Sequence, residues 1–127
     1  MNLFTSSDRL REQLAVRQTD LLQGTLDLLV LKTLTAGPNH GYGITTRIHQ
    51  FSGDVLKIEE GSLYPALYRM EEQGLIESEW ATTENKRRAK FYKLTRKGRI
   101  AAQAEVDSWV RLSKAITRVL RAVEQEG

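Results

Sequence analysis

Between Lys86 and Arg99 the chain carries eight basic side chains and no acidic one: Lys86, Arg87, Arg88, Lys90, Lys93, Arg96, Lys97 and Arg99. Without those eight the formal net charge of +3 becomes −5, so the positive charge is a local feature of an otherwise acidic chain. Guanidinium and ammonium groups at this density suit the repeated phosphates of a polyanion. A solvated, charged hairpin would read the same way on charge alone. Other chemistries are poorly served. There is no cysteine, and two histidines, His40 and His49, are too few for a multi-histidine metal centre. His40 directly precedes Gly-Tyr-Gly and reads as a cap or turn residue, and His49 as an exposed helix residue. Glu59 and Glu60 stand ahead of a helix start, where they favour its positive end. With no partnered nucleophile they make no general acid–base pair. The expectation is a chain with no enzymatic activity, no cofactor and no metal.

The elements that must position the basic block follow from periodicity. In residues 1–20, Leu10, Leu14 and Leu21 mark a thin helical stripe that Ser7 or Asp8 can cap. A nearly apolar helix from Thr25 to Thr35, with Leu28, Leu31 and Leu34 on one face, belongs at the centre of a core. It stops at Gly37-Pro38-Asn39. The next helix runs from Gly41 to Ser52 with Tyr42, Ile44, Ile48 and Phe51 on its buried side. A turn at Gly53-Asp54 and a short extended segment, Val55 to Ile58, come after it. In the helix from Ser62 to Gln73, Ser62 is the expected N-cap and Pro65 falls in the first turn, where its missing N–H has no helical partner to lose. Leu63, Leu67 and Met70 face the core. Ser62, Pro65, Ala66 and Arg69 then face outward, with Tyr64 and Tyr68 on the flanks.

After Gly74 the period changes to two. Ile76 to Thr82 and Lys90 to Leu94 form a β-hairpin whose tip opens the basic block. Thr95 caps a last long helix, from Arg96 to Glu124, in which Val106, Trp109, Leu112, Ile116 and Val119 keep a near-heptad step. The fold class is mainly α with a small β-hairpin: a winged helix-turn-helix plus a long C-terminal dimerisation helix. Its boundaries are an N-terminal extension at 1–20, a winged-helix DNA-binding domain at 21–95 and the dimerisation helix at 96–127.

Such an arrangement suits duplex DNA. A helix of about 12 residues is near 18 Å long and fits the major groove. Ser62 and the free N–H groups beside it can meet a phosphate. Arg69 can meet phosphate or a guanine edge, and Tyr64 and Tyr68 can extend their hydroxyls toward the backbone. Lys86, Arg87, Arg88 and Lys90 at the hairpin tip reach phosphates or the minor groove. Trp109 is either a buried aromatic of the dimer core or, paired across a two-fold axis, a platform for a planar aromatic compound.

Three stretches carry a family resemblance: His-Gly-Tyr-Gly-Ile at 40–44, Gly-Ser-Leu-Tyr-Pro-Ala-Leu-Tyr-Arg-Met-Glu-Glu-Gln-Gly-Leu-Ile at 61–76, and Arg-Arg-Ala-Lys-Phe-Tyr-Lys-Leu-Thr-Arg-Lys-Gly at 87–98. In this order they resemble the PadR family of bacterial transcriptional regulators, over roughly residues 20–120, and its shorter subfamily with a single C-terminal helix. The resemblance implies a homodimer that represses transcription from palindromic operators, often with ATGT/ACAT-type arms, and is released by a small molecule or stress signal. It implies that the Tyr42 motif orients the first helix of the helix-turn-helix. Tyr64 and Pro65 then belong to the recognition helix, Arg87 and Arg88 to the wing, and Trp109 takes the place of an aromatic that binds planar, lipophilic drugs. The extension before Thr19 is less typical of the family.

The competing reading is a winged-helix protein-interaction module without DNA binding, against which the basic wing argues. The N-terminus lacks the basic start and apolar run of a signal peptide. The most apolar stretch, Leu26 to Leu34, falls short of the ~20 residues that span a bilayer. A cytoplasmic protein with no membrane partner is expected.

Overall fold

The computed structural model describes residues 23–126. The helix expected in residues 1–20 lies outside them. The described chain runs α1 (Gln23–Leu34), β1 (Asn39–His40), α2 (Gly41–Phe51), α3 (Glu60–Glu72), β2 (Ile76–Thr82), β3 (Arg88–Leu94) and α4 (Arg96–Glu126). It is mainly helical with one small antiparallel sheet in the order β1-β3-β2. α1 is the central element. Its Leu26, Val30, Leu31 and Leu34 are buried with Ile44 and Ile48 of α2, with Leu63, Leu67 and Met70 of α3, and with Ile76, Tyr92 and Leu94 of the hairpin. The stripe Leu63, Ala66, Leu67, Met70 has the i, i+3, i+4, i+7 spacing of a half-buried helix.

The hairpin pairs Ile76 with Leu94, Ser78 with Tyr92, Trp80 with Lys90 and Thr82 with Arg88. Because side chains alternate across a strand, these eight share one face, buried at its base and open at its tip. The tip closes through the Thr83 N–H donating to the Arg87 carbonyl (2.7 Å) and the Lys86 N–H to the Thr83 carbonyl (2.9 Å). β1 adds a third edge, Asn39 opposite Tyr92 and His40 opposite Phe91. Two residues are too few to show a period of two, so this strand was not legible in the sequence.

Three local expectations are corrected. Tyr42 is 70% exposed and Phe51 74% exposed, and neither lies on the buried side of α2. The buried residues of that side are Gly41, Ile44 and Ile48. Tyr42 sits about 200° around the helix from Ile44, and Phe51, in the last position, carries the Arg47 guanidinium 5.9 Å above its ring. Residues 55–58 form no strand; Ile58 is buried and the rest bridge from α2 to α3. Finally, α3 starts at Glu60 and not after Ser62, with Glu59 as its N-cap residue. The N–H groups of Ser62 and Leu63 both reach the Glu59 carbonyl at 3.1 Å, which begins the helix earlier than a serine cap would. Pro65 therefore lies inside the helix, where it leaves the Gly61 carbonyl without its usual donor.

Other expectations hold. His40 caps α2, its Nδ1 accepting the Gly43 N–H at 3.1 Å. Thr95 caps α4: its hydroxyl oxygen accepts the Gly98 N–H (3.0 Å). That hydroxyl also lies 2.7 Å from the Gly74 carbonyl and 3.1 Å from that of Leu75. The first turn of α4 is thereby tied to the turn that ends α3. The approach is so close that a Cβ on Gly98 would fall on the Leu75 carbonyl oxygen and 2.9 Å from its carbon. Replacing Gly98 with alanine gains about 1 kcal/mol of helix propensity. The overlap is with backbone that is itself hydrogen-bonded, so strain wins. The expected net loss is roughly 1–2 kcal/mol, read as a lower urea midpoint. A raised midpoint would mean that propensity governs and the joint is loose.

Candidate nucleic-acid interface

The side of α3 that meets solvent is the stripe Gly61, Tyr64, Pro65, Tyr68 and Glu72, with Glu60 exposed at its start. Ser62 is half-buried in the first turn, and Ala66, expected on the outward face, is 3% exposed in the core. Arg69 is not outward either. Its Nη1 and Nη2 donate to the two carboxylate oxygens of Asp27 on α1 at 2.6 and 2.8 Å. The side chains of this pair are only 29% and 17% exposed. A helical wheel places Arg69 away from Leu63 and Leu67 but cannot show that a carboxylate 42 positions earlier waits at its flank. Hydrogen bonding to Asp27, against the opposing effect of burial, raises the Arg69 pKa, so the guanidinium stays charged. Arg69 is thus a strut between the central helix α1 and α3.

Two further contacts fix α3. The Tyr64 phenol packs against Gly41, the first residue of α2, so closely that a Cβ there would come 2.7 Å from its oxygen. At the other end, Glu71 accepts the Ser78 hydroxyl proton at 2.5 Å. Its other carboxylate oxygen lies 3.6 Å from the Lys90 ammonium. The hairpin is therefore held to α3 through a carboxylate. Burial first, then the nearby Glu71 and Tyr64, holds the Tyr92 phenol above its usual range and keeps it neutral. Sequence reading placed Glu71 in no role. The signal for it, an acid opposite a basic strand, becomes visible only when the hairpin register is known.

Lys86, Arg87 and Arg88 are exposed at the wing tip. Lys86 takes a left-handed backbone (φ 60°) that turns the tip, and the Arg88 guanidinium lies 5.9 Å from the centre of the Trp80 ring. Lys90 is less free than its three neighbours, held by Glu71 and 5.8 Å over the Tyr92 ring. The surface that results has two parts. One is α3, which presents tyrosine and proline between exposed carboxylates at its two ends, Glu60 and Glu72. The other is a basic hairpin beside it.

On the far side of α1, Gly24, Thr25 and Leu28 form an open groove with Glu105, Ser108, Trp109 and Leu112 of α4, about 240 Å³ in volume. Trp109 is 45% exposed there. Beyond Ala102, α4 buries no residue among the described chain, and Leu112, Ile116 and Val119 are all exposed. Val106 is half-buried. Among the described residues no group of three or more His, Cys, Asp or Glu could hold a metal. No helix of theirs is long and apolar enough to cross a membrane.

Residues 30–104 match the transcriptional regulator PadR-like family, and the chain belongs to that family. Its fold is similar to that of a PadR family transcriptional regulator from Eggerthella lenta, at 28% identity and a TM-score of 0.72 over 91% of this chain and 96% of that one. It is similar also to a transcriptional regulator from Clostridium thermocellum, at 28% identity and a TM-score of 0.70 over 81% and 97% of the two chains. In sequence it is 41% identical over 86 residues to a 37.1 kDa transposon protein of Streptomyces fradiae. That match takes in 68% of this chain and only 23% of the longer protein. The winged helix described above is accordingly that of a DNA-binding transcriptional regulator.

The Asp27–Arg69 strut yields a prediction. Arg69→Ala should lower stability by about 1–3 kcal/mol, as for a charged hydrogen bond that leaves a half-buried carboxylate unpaired. It should weaken binding to all duplexes by a similar factor. Asp27→Ala should behave alike, and the exchanged pair Asp27→Arg with Arg69→Asp should recover part of both. A loss confined to one DNA sequence, with stability unchanged, would instead return Arg69 to base reading.

Proposed function

We propose that this chain is a non-enzymatic, cytoplasmic repressor that works as a homodimer on palindromic operators and is released by a planar, lipophilic small molecule. The observation that carries the reading is the uncovered seam of α4. A helix of 31 residues, about 46 Å long, exposes Trp109, Leu112, Ile116 and Val119 at steps of three and four. A second copy related by a two-fold axis meets the same stripe and buries it. Two winged domains then stand on one side of the paired helices, each with Tyr64, Pro65 and Tyr68 toward a major groove and Arg87 and Arg88 toward the flanking backbone.

The groove at Trp109 supports the effector reading. Its 240 Å³ is below the ~300–1,000 Å³ of ligand pockets generally. A dimer axis beside it would join two such half-sites, lined by two indoles. A planar compound stacked between them would favour one crossing of the α4 pair over another, and so one spacing of the recognition helices.

Selection from a random-sequence duplex pool tests the proposal. An inverted repeat should emerge, and the Leu112→Asp, Ile116→Asp double variant should sediment as monomer and lose that site. A single asymmetric site, or a DNA-binding monomer from the double variant, would overturn it. Emission from Trp109 should fall on titration with a planar aromatic dye, and release of the duplex should follow the same curve. For the wing, Arg87→Ala with Arg88→Ala should reduce the slope of log K against log salt by roughly 0.9 per lost phosphate contact. An unchanged slope would mean that the tip is only solvated.

A further inference from the structure

Trp80 is 62% exposed, and its place on the hairpin is specific. It shares a face with Ser78 and Lys90, the two residues that Glu71 ties to the recognition helix. The indole is thus the next residue outward from the point where α3 and the wing touch. The Arg88 guanidinium sits 5.9 Å over the ring, and Lys90 is its direct cross-strand partner. The acids of the same strand, Glu77 and Glu79, occupy the opposite face, across from Lys93 and Phe91. Alternation therefore sorts the hairpin: an indole with two cations toward the recognition-helix side, carboxylates away from it.

We infer that Trp80 is a DNA-contacting residue of the wing, its indole edge packing on the deoxyribose of the flanking backbone while its face holds Arg88 extended toward a phosphate. Charge selects the occupant: an acidic protein surface would meet the cations, but only a polyanion with regular apolar sugars between phosphates matches both the cations and the ring. A guanidinium resting on an indole keeps its outward N–H donors available, and the contact removes part of the rotamer freedom that binding would otherwise have to freeze. Trp80 thereby acts both as a contact and as a positioning residue for Arg88. This rests on the DNA-binding reading above.

The test compares wild type with Trp80→Phe and Trp80→Ala on a duplex selected from a random pool. Wild-type emission should fall saturably on adding duplex, and the fall should vanish in Trp80→Phe, which retains only Trp109. Trp80→Ala should weaken binding roughly tenfold for two wings, and Trp80→Phe should recover most of that loss, as a smaller aromatic platform would. Arg88→Ala should cost less in the Trp80→Ala background than in wild type. Equal emission changes in wild type and Trp80→Phe, or wild-type affinity in Trp80→Ala, would overturn the contact. Additive losses would overturn the positioning role. Should Trp80→Ala fold poorly, the Trp80→Phe emission comparison still decides. Failure of wild type to bind any duplex would sink the DNA reading itself, whereas binding with a silent Trp80 would sink only this inference.

Discussion

The joint between Thr95, Gly98 and the Gly74-Leu75 turn governs the rest of the molecule. There the first turn of the long helix is hydrogen-bonded to the residues that end the recognition helix. A carbonyl occupies the space where any side chain on Gly98 would lie. The Lys97 ammonium adds a further bond, donated to the Gln73 carbonyl at 2.7 Å. In the proposed homodimer the helix of 31 residues would act as a lever, and a stiff joint at its base would turn the crossing angle of two such helices into the placement of two DNA-reading surfaces. A flexible linker in the same place would transmit nothing.

The proposed recognition helix, α3, is braced rather than free. α1 holds it through Asp27 and Arg69, α2 through the Tyr64–Gly41 contact, and the wing through Glu71. Arg69, the charged side chain that a wheel offers to DNA, is thus engaged within the protein, as is Glu71. Between the exposed Glu60 and Glu72, tyrosine and proline remain outward, side chains that suit phosphate oxygens and thymine methyls but are poor in bidentate base contacts. On the proposed reading, sequence discrimination by such a surface would lean on DNA shape and on the spacing of two half-sites. The exposed cations of the wing tip are the proposed source of electrostatic affinity.

Much of this was legible in the sequence because it is local. The change of period after Gly74, the Leu63, Leu67, Met70 stripe, the caps at His40 and Thr95 and the basic tip each depend on residues within a turn or two of one another. What was not legible depends on distant partners. Arg69 faces Asp27, Glu71 faces Ser78 and Lys90, and β1 exists only because β3 lies beside it. Ser62 is a good cap by type, but the chain leaves the core at Ile58 and begins to turn at Glu59, so the helix has started before Ser62 is reached. Phe51 and Tyr42 failed for the converse reason: apolar type alone does not say that the inner side of α2 is already filled by Ile44 and Ile48.

The central claim is geometric: two copies, joined along α4, present two recognition helices to one face of a duplex. Hydroxyl-radical footprinting of the full chain on its selected duplex, with the stoichiometry measured by sedimentation, tests it most directly. The account predicts two chains per duplex and two protected stretches related by a dyad, with centres about one helical turn apart, near 34–36 Å. Weaker protection should extend outward where the wings lie. One chain on a single undivided footprint would contradict it.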